Sequence, residues 1–394
     1  MNKSHSELER AYLSLSAWCA RHGHAGHDPF DALNSRLFQA TPLKHSRAAR
    51  LIWTQLFKRS PVNLRRLAGV PAGKNSKGTA LFALAQVSGW RREKTESAER
   101  EARALLKDLL AARIGNVSGA AWGYNFDWQG RAFFAPVGTP AIVPTAFAAR
   151  AFLEASLAFQ DEEYLRVARN ACDFILRDLN RTVETAGEIC WSYSPLDRTR
   201  VFNASLLAAE TLSVVGALTG EDELRETALR GARYVVGHQH ADGSWAYGAD
   251  SYQSWADNFH TAFILTSLAR IMKSHPAAHD EFMAATSRGL RFWCERFFLA
   301  NGWPKYFHDR LYPADAHSAG AAIVALVELH EMDESALLEA ERIALWAIKH
   351  LRDERGFFYY QRRRFYTVRT PYMRWSQAWM LYALARLLET MNRQ

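Results

Sequence analysis

Four aspartates stand shortly before Ala-rich apolar runs of the sequence, at Asp127, Asp197, Asp257 and Asp315. One interpretation is structural, because an aspartate at a helix start accepts hydrogen bonds from backbone N–H groups. The other is chemical: two carboxylates beside one glycosidic bond act as acid and base or nucleophile, and their separation selects inversion or retention. Asp127 and Asp257 are the predicted catalytic pair, since Asp127 lies too far ahead of the next apolar run to be a simple cap.

Side chains that could move a proton or hold an anion flank the same runs. His260 follows Asp257 within one helical turn, and it is predicted to be catalytic together with the phenol of Tyr252. His317 occupies a matching place before another run. Arg374 stands among Trp and Tyr residues, a setting suited to a carboxylate or phosphate. The structural alternatives are hydrogen-bonded histidines and a salt bridge from Arg374 to one of the aspartates.

Aromatic residues are frequent, with 13 Trp, 14 Tyr and 22 Phe, and many of the Trp and Tyr fall in polar, Gly-rich segments. In the functional interpretation such rings stack on sugars, and in the structural one they pack loop ends onto the protein. The residues predicted to bind substrate from these segments are Tyr124, Trp128, Tyr193, Asp197, Arg200, Trp255, Asp315, His317, Tyr372 and Arg374.

The net charge of +8 comes from one segment. Between Asp31 and Glu93 there are 12 Lys and Arg residues and no acidic residue, whereas the rest of the chain is slightly acidic. This distribution argues against a protein that coats nucleic acid and for one local surface that faces an anion. The predicted anion-binding residues are Arg65, Arg66, Lys74 and Lys77. An acidic polysaccharide, a lipid-linked diphosphate sugar or an anionic membrane surface would suit them.

Other classes of site are not predicted. The four cysteines are widely spaced and indicate neither a disulfide framework nor a zinc cage. A group of potential metal ligands has no zinc-like spacing, so a solvated loop is the favoured interpretation of His22, His24, His27, Asp28 and Asp31. No metal and no cofactor are therefore predicted. The polar N-terminus and the lack of a continuous apolar run of 18 residues favour a cytoplasmic protein, with peripheral contact at the inner membrane as an option.

An internal repeat predicts the architecture. Aromatic residues beside glycine or serine recur at intervals of 54 to 69 residues, at Trp122, Trp191, Trp245, Trp303 and Phe357. Each is followed by a polar loop, an Ala-rich run that is apolar on most sides and, before the next motif, an amphipathic run. This order is typical of a buried inner helix followed by a half-exposed outer helix.

Inner helices are predicted to start near residues 77, 143, 200, 256, 316 and 372, and the N-terminal run 6–22 supplies the outer partner of the last one. The prediction is an all-α, single-domain (α/α)6 toroid over residues 1–394, closed by the chain ends, with a basic insertion at about 32–77. If the inner helices are parallel, the loops before them meet in one funnel, where helix N-termini favour an anion.

Two short segments resemble known toroid enzymes. Gln239-His-Ala-Asp-Gly-Ser-Trp245 is similar to the Q-x3-G-x-W repeat of terpenoid cyclases, in which the motif is structural. The acidic catalytic motifs of those enzymes are absent, so the resemblance implies the fold alone. Trp255-Ala-Asp-Asn-Phe-His-Thr261 resembles the W-D-Y-H-T run of glucuronyl C5-epimerases, with one extra residue after the Trp.

A third resemblance covers most of the chain. The segments 27–35, 61–71 with 74–78, and 371–379 are similar to VpsJ-like proteins, which are associated with bacterial exopolysaccharide and capsule biosynthesis. This resemblance implies a role in surface polysaccharide production and supplies no established catalytic residues.

The functional prediction is a carbohydrate-active enzyme that acts in the funnel on an acidic glycan or a lipid-linked precursor. Glycosidic cleavage by Asp127 and Asp257 is the first mechanism. Uronate C5 epimerisation or lyase chemistry, with a Tyr or His base and Arg374 neutralising the carboxylate, is the second. The third possibility is a non-catalytic glycan-binding or assembly protein that uses the same funnel.

Overall fold

The computed structural model describes residues 3–393, and most of them are helical. The α-helices are α1 Lys3–Arg21, α2 Arg36–Gln39, α3 Arg47–Arg59, α4 Ser76–Glu93, α5 Glu96–Ala111, α6 Ile142–Phe159, α7 Glu162–Arg177, α8 Phe202–Thr219, α9 Asp222–Gly237, α10 Asn258–Ser274, α11 His279–Phe297, α12 Ala316–Leu329, α13 Ser335–Leu351 and α14 Ala378–Met391. A single π-helical turn, Met373–Gln377, runs into α14.

Seven short strands lie in the loops between the helices. They are β1 Trp128–Gln129, β2 Phe134–Ala135, β3 Arg181–Glu184, β4 Ile189–Trp191, β5 Ala314–Asp315, β6 Gln361–Arg362 and β7 Thr367–Val368. All pairings are antiparallel: β1 pairs with β2, β3 with β4, and β6 lies between β5 and β7.

Six inner helices form a closed ring in the order α4, α6, α8, α10, α12 and α14, and α14 packs on α4 to complete it. Each has an outer partner, namely α5, α7, α9, α11, α13 and, for α14, the N-terminal α1. The (α/α)6 toroid and its closure by the chain ends are thus confirmed. Five inner helices begin within two residues of the predicted positions, and the π-helical turn moves the start of α14 to residue 378.

The aromatic-glycine motifs hold the inner and outer helices together. The indoles of Trp122 and Trp245 are buried and donate to the carbonyls of Leu109 and Val235, near the end of the preceding outer helix. Gly356, at φ +102°, lies so close to α1 that a Cβ would come within 2.8 Å of a backbone oxygen. Gly243 makes the same approach to α11, at 2.6 Å. α1 therefore occupies a true outer-helix position.

A repeated backbone contact gathers the loops at one end of the ring. The first residue of four inner helices donates its N–H to the carbonyl of a tyrosine in the next loop. These pairs are Ile142 with Tyr193, Phe202 with Tyr247, Asn258 with Tyr306 and Ala316 with Tyr360. The loops before successive inner helices therefore lie side by side, as a parallel ring requires. We call this end of the toroid the loop end.

The basic insertion folds over the loop end. Gly26, which precedes the insertion, pairs with Gly73 near its end, and the backbone N–H of Arg374 donates to the carbonyl of His27. Residues 60–75 contain no helix or strand. The insertion therefore lies over the loops at this end of the ring.

Two inner helices, Ile142–Phe159 and Phe202–Thr219, are long and apolar enough to cross a membrane by length and composition alone. Their residues are 72% and 78% buried within the toroid. Burial on most sides explains this composition, because an inner helix packs against two ring neighbours and an outer helix.

Candidate functional site

Asp257 and His260 form a hydrogen-bonded pair at the start of α10. Asp257 is the N-cap of the helix, and its Oδ1 accepts from the backbone N–H of His260 at 3.1 Å. Its Oδ2 lies 2.7 Å from Nδ1 of the His260 ring and also accepts from the indole N–H of Trp255. The carboxylate is buried, whereas the imidazole is 20% exposed. Because Nδ1 faces the carboxylate, Nε2 is the nitrogen available to a substrate.

Aromatic rings surround this pair. Tyr247 stacks on Trp255 with ring centroids 4.7 Å apart, and Tyr247 and Phe259 contact the His260 ring at 4.6 and 4.0 Å. The rings of Tyr247 and Trp255 are partly exposed. An imidazole held by a carboxylate beside such rings can exchange a proton with a bound sugar.

His317, near the start of α12, lies behind the same rings. It is fully buried, stacks on Trp375 at 4.1 Å and meets the edge of Phe259 at 4.4 Å. Neither ring nitrogen has a hydrogen-bond partner within residues 3–393. Burial, together with the positive charges of Lys77 and Lys58, holds the pKa of His317 well below its usual range. The imidazole is therefore neutral.

A buried ion cluster fastens the insertion to the last repeat. Asp31 is 1% exposed; its Oδ1 accepts from Arg65 at 2.6 Å, and its Oδ2 accepts from Arg374. Arg65 also donates to the Tyr372 hydroxyl at 2.7 Å, and Arg374 to the side chain of Asn125. Although burial opposes it, His27 and the two arginines lower the pKa of Asp31.

This cluster corrects two expectations. The His- and Asp-rich segment is not a solvated loop, because Asp28, Asp31 and His24 are buried. Arg374 forms the salt bridge of its structural alternative, although its partner is Asp31 and not one of the four aspartates considered. Within residues 3–393, no group of three or more His, Cys, Asp and Glu side chains is arranged to hold a metal ion.

The other predicted aspartates serve local structure. Asp127 is half-buried and accepts from the backbone of Val137 at 2.8 Å and the amide of Gln39 at 3.4 Å. Asp197 accepts backbone and hydroxyl hydrogen bonds from its own loop. Asp315 is the buried N-cap of α12. Asp315 thus has the predicted capping role, whereas Asp127 and Asp197 hold loops and cap neither α6 nor α8. None of these contacts joins Asp127 to Asp257.

The tyrosines at the loop end are better suited to donating a proton than to accepting one. Tyr124 and Tyr193 share a hydrogen bond at 3.2 Å, and burial raises both pKa values. Burial raises the pKa of Tyr372 to about 12. Tyr252 is 48% exposed and donates to Asp250, and its pKa is also raised. A tyrosine base needs a lowered pKa, so these raised pKa values favour His260 over Tyr252 as the base.

Of the remaining predicted binding residues, some lie at the surface and others are buried. Trp128 packs against Tyr193 with ring centroids 5.2 Å apart, and Arg200 pairs with Asp250 at 2.6 Å. Arg66 is exposed, and Lys74 pairs with Asp108 on the surface. Arg65 and Lys77 are 0% and 3% exposed. The expectation that all four basic residues form one solvent-facing surface is therefore wrong.

Sequence reasoning missed three residues that border His317 or Lys77. Trp375 contacts both of them, Phe30 meets the edge of Trp375 at 5.2 Å, and the Lys58 ammonium lies 4.1 Å above the Phe30 ring. The available signal was their position: Phe30 and Trp375 stand inside segments already singled out for their resemblance, and Lys58 belongs to the basic stretch.

Comparison with known protein families and with curated proteins finds no match for this sequence. Solved structures with the same fold are numerous. The unsaturated glucuronyl hydrolase of Bacillus sp. GL1 matches with a TM-score of 0.64 and 15% identity, over 97% of this chain and 96% of its own.

Two further structures match over slightly less of this chain. The cellobiose 2-epimerase of Bacillus thermoamylovorans gives a TM-score of 0.63 at 14% identity, covering 81% of this chain and 88% of its own. A GH76 α-mannanase of Bacteroides thetaiotaomicron gives a TM-score of 0.62 at 13% identity, and the match covers 80% of this chain and 86% of its own. At these identities the likeness shows the fold alone, which is the (α/α)6 toroid.

Proposed function

We propose that the protein is a sugar-converting enzyme in which His260, oriented by Asp257, transfers a proton at a sugar carbon. The Asp257–His260 pair carries this proposal, because it presents a partly exposed Nε2 at the loop end beside stacked aromatic rings. The named activities of the structural neighbours, an epimerase and hydrolases of glycans and of unsaturated glucuronides, support a carbohydrate substrate.

The proposed step begins with His260 Nε2 taking the proton from a carbon next to a carbonyl or carboxyl group. The C–H electron pair moves onto that group and forms an enolate, and His260 becomes the imidazolium stabilised by Asp257. Return of a proton to the opposite face gives an epimer. Loss of a substituent from the neighbouring carbon gives a lyase product instead.

Hydrolysis by Asp127 and Asp257 is less well supported by the geometry. Both oxygens of Asp257 are occupied by His260 and Trp255, and Asp127 is held by Val137 and Gln39. Arg374 is engaged by Asp31, which removes it as the partner of a uronate carboxylate. A place in surface polysaccharide synthesis, contact with a lipid-linked sugar or the inner membrane, and a single domain over 1–394 all remain proposals from sequence.

The test offers neutral and acidic oligosaccharides to the enzyme in heavy water. Deuterium at a sugar carbon would report epimerisation, a new ultraviolet-absorbing double bond would report a lyase, and a new reducing end would report hydrolysis. His260→Ala is expected to lower turnover by about 10²- to 10⁴-fold, the usual contribution of a general base. Asp257→Asn is expected to lower it by less, because the imidazole remains but loses its orientation.

The matched control is His275→Gln, a histidine directly after the opposite end of α10, and it is expected to keep full turnover. Deuterium exchange that survives in His260→Ala would exclude His260 as the base. Saturable binding by the wild-type protein with none of the three products would favour the non-catalytic role.

A further inference from the structure

Lys77 is a buried cation that forms no salt bridge among the described residues, although the charge of Asp28 partly offsets the effect of burial on its pKa. It lies in the first turn of α4, is 3% exposed, and its ammonium stands 4.2 Å above the ring of Trp375. Within residues 3–393 it makes no hydrogen bond, and no carboxylate oxygen lies within 4.0 Å of it. Burying a charge without a partner is costly, so such a lysine needs a reason.

Two further side chains with hydrogen-bond donors lie in the same aromatic cluster. The half-buried Lys58 ammonium packs on Phe30, whose ring meets that of Trp375. His317 stacks on the other side of the region against Trp375, with both ring nitrogens unpartnered among the described residues. Burial lowers the pKa of each lysine to about 8. Phe30, Trp375 and Lys58 are only half-buried, so this cluster reaches the solvent.

The nearby carboxylates are already occupied by other donors. Asp31 accepts from Arg65 and Arg374. Asp28 accepts from the backbone of Phe30 at 3.0 Å and from Asn75 at 3.4 Å.

The two helix-capping aspartates are occupied as well. Asp315 accepts from the backbone of Ser318 at 2.7 Å and from Gln361 at 3.4 Å, and both oxygens of Asp257 are engaged by its own helix and Trp255. The region therefore holds an excess of hydrogen-bond donors over charged acceptors.

We propose that Lys77, in the same cluster as Lys58, binds a carboxylate or phosphate group carried by the sugar substrate. The group would accept a hydrogen bond from the Lys77 ammonium, replacing the water that this side chain lost on burial. This inference rests on the proposed function, and it names the substrate as an acidic sugar. Binding of this acidic group would also give the basic insertion a function, because Lys58 and Phe30 belong to segments that fold over the loop end.

The test is calorimetric titration of the full-length protein with D-glucuronate, D-glucose 6-phosphate and D-glucose. The wild-type protein is expected to bind one of the acidic probes more tightly than glucose by about tenfold or more, as a charge-assisted hydrogen bond contributes. Lys77→Gln is expected to abolish that preference, and Lys77→Arg to retain part of it. Whether glucuronate or the phosphate binds identifies the group.

The matched control is Lys273→Gln, an exposed lysine at the far end of α10 that pairs with Glu331 and is expected to bind as the wild type does. Equal binding of all three probes by the wild type, or an unchanged preference in a folded Lys77→Gln protein, would overturn the inference. His260→Ala separates the two proposals: unaltered acidic-probe binding without turnover supports both, whereas retained turnover rejects the proposed function alone.

Discussion

Two regions of the toroid treat buried charge in different ways. Along the inner helices, charges from neighbouring helices neutralise one another. Glu210 of α8 accepts from Arg150 of α6 at 2.5 Å, and Glu328 of α12 accepts from Arg270 of α10 at 2.8 Å. Arg386 of α14 also contacts Glu328, at 3.2 Å. We call this network the paired belt.

At the loop end, beside the paired cluster of Asp31, Arg65 and Arg374, the side chains of Lys77 and His317 are buried and form no salt bridge among the described residues. The two regions of the fold therefore use buried charge for different purposes. In the paired belt, Arg270 and Arg386 hold the pKa of Glu328 well below its usual range even though burial opposes this, so the carboxylate stays ionised. Paired charges fix the ring, whereas unpaired donors remain available to a ligand.

The largest effect is expected from breaking the paired belt. Glu210→Gln would leave Arg150 and Arg270 facing a neutral side chain in the interior, since both contact Glu210. Removing one member of a buried ion pair costs about 3–5 kcal/mol. Chemical denaturation should therefore show a loss of this size in the free energy of unfolding.

The matched control for Glu210→Gln is Glu163→Gln, which breaks an exposed pair with Arg166 on α7. It is expected to change the free energy of unfolding by less than about 1 kcal/mol. Similar losses for the two variants would mean that burial does not distinguish the paired belt from surface pairs.

A smaller loss of stability is expected at one of two adjacent arginines, Arg65 and Arg66, which differ in burial and in their contacts. Arg65→Gln removes a fully buried partner of Asp31 and is expected to cost about 3 kcal/mol, because Arg374 still holds the carboxylate. Arg66→Gln, at an exposed position, should be nearly neutral. Thermal denaturation measures both. Equal melting temperatures would show that the insertion is not fastened by the Asp31 cluster.

The smallest expected change in the free energy of unfolding is an increase. Lys77→Met is expected to stabilise the protein by about 1–2 kcal/mol, because it removes an unpaired buried charge. The native pKa of Lys77, about 8, lies below the value of 10.5 in an unfolded chain. Between these two values the unfolded chain binds more protons, so the stability of the wild type rises with pH.

The advantage of Lys77→Met is accordingly expected to be greatest below pH 8 and to shrink between pH 8 and 10.5. Denaturation curves of the two proteins across this range measure it. Lys273→Met, at a surface pair, should show no such pH dependence. A destabilised Lys77→Met protein at neutral pH would mean that Lys77 is a structural residue. The contrast between the paired belt and Lys77 at the loop end would then be wrong.

Local patterns in the sequence were sufficient to predict most of the ring. The apolar runs of the inner helices and the amphipathic runs of the outer helices have helical periodicity, and Gly356 with Trp245 marked the repeats. The N-capping role of Asp257 and Asp315 was one of the two interpretations offered. The prediction failed where a side chain's partner lies far along the chain, because periodicity carries no information about such pairs.

The sequence by itself determined the all-α class, the six repeats, the closure by the N-terminal helix and the basic character of the insertion. Only the tertiary structure decided which charges are paired. Asp31 and Arg374 are separated by 343 positions and meet because the ring closes and the insertion folds over the loop end. Lys77 lies near the same cluster and yet has no partner among the described residues. Charge pairing depends on distances of a few ångströms, and those distances are set by long-range packing.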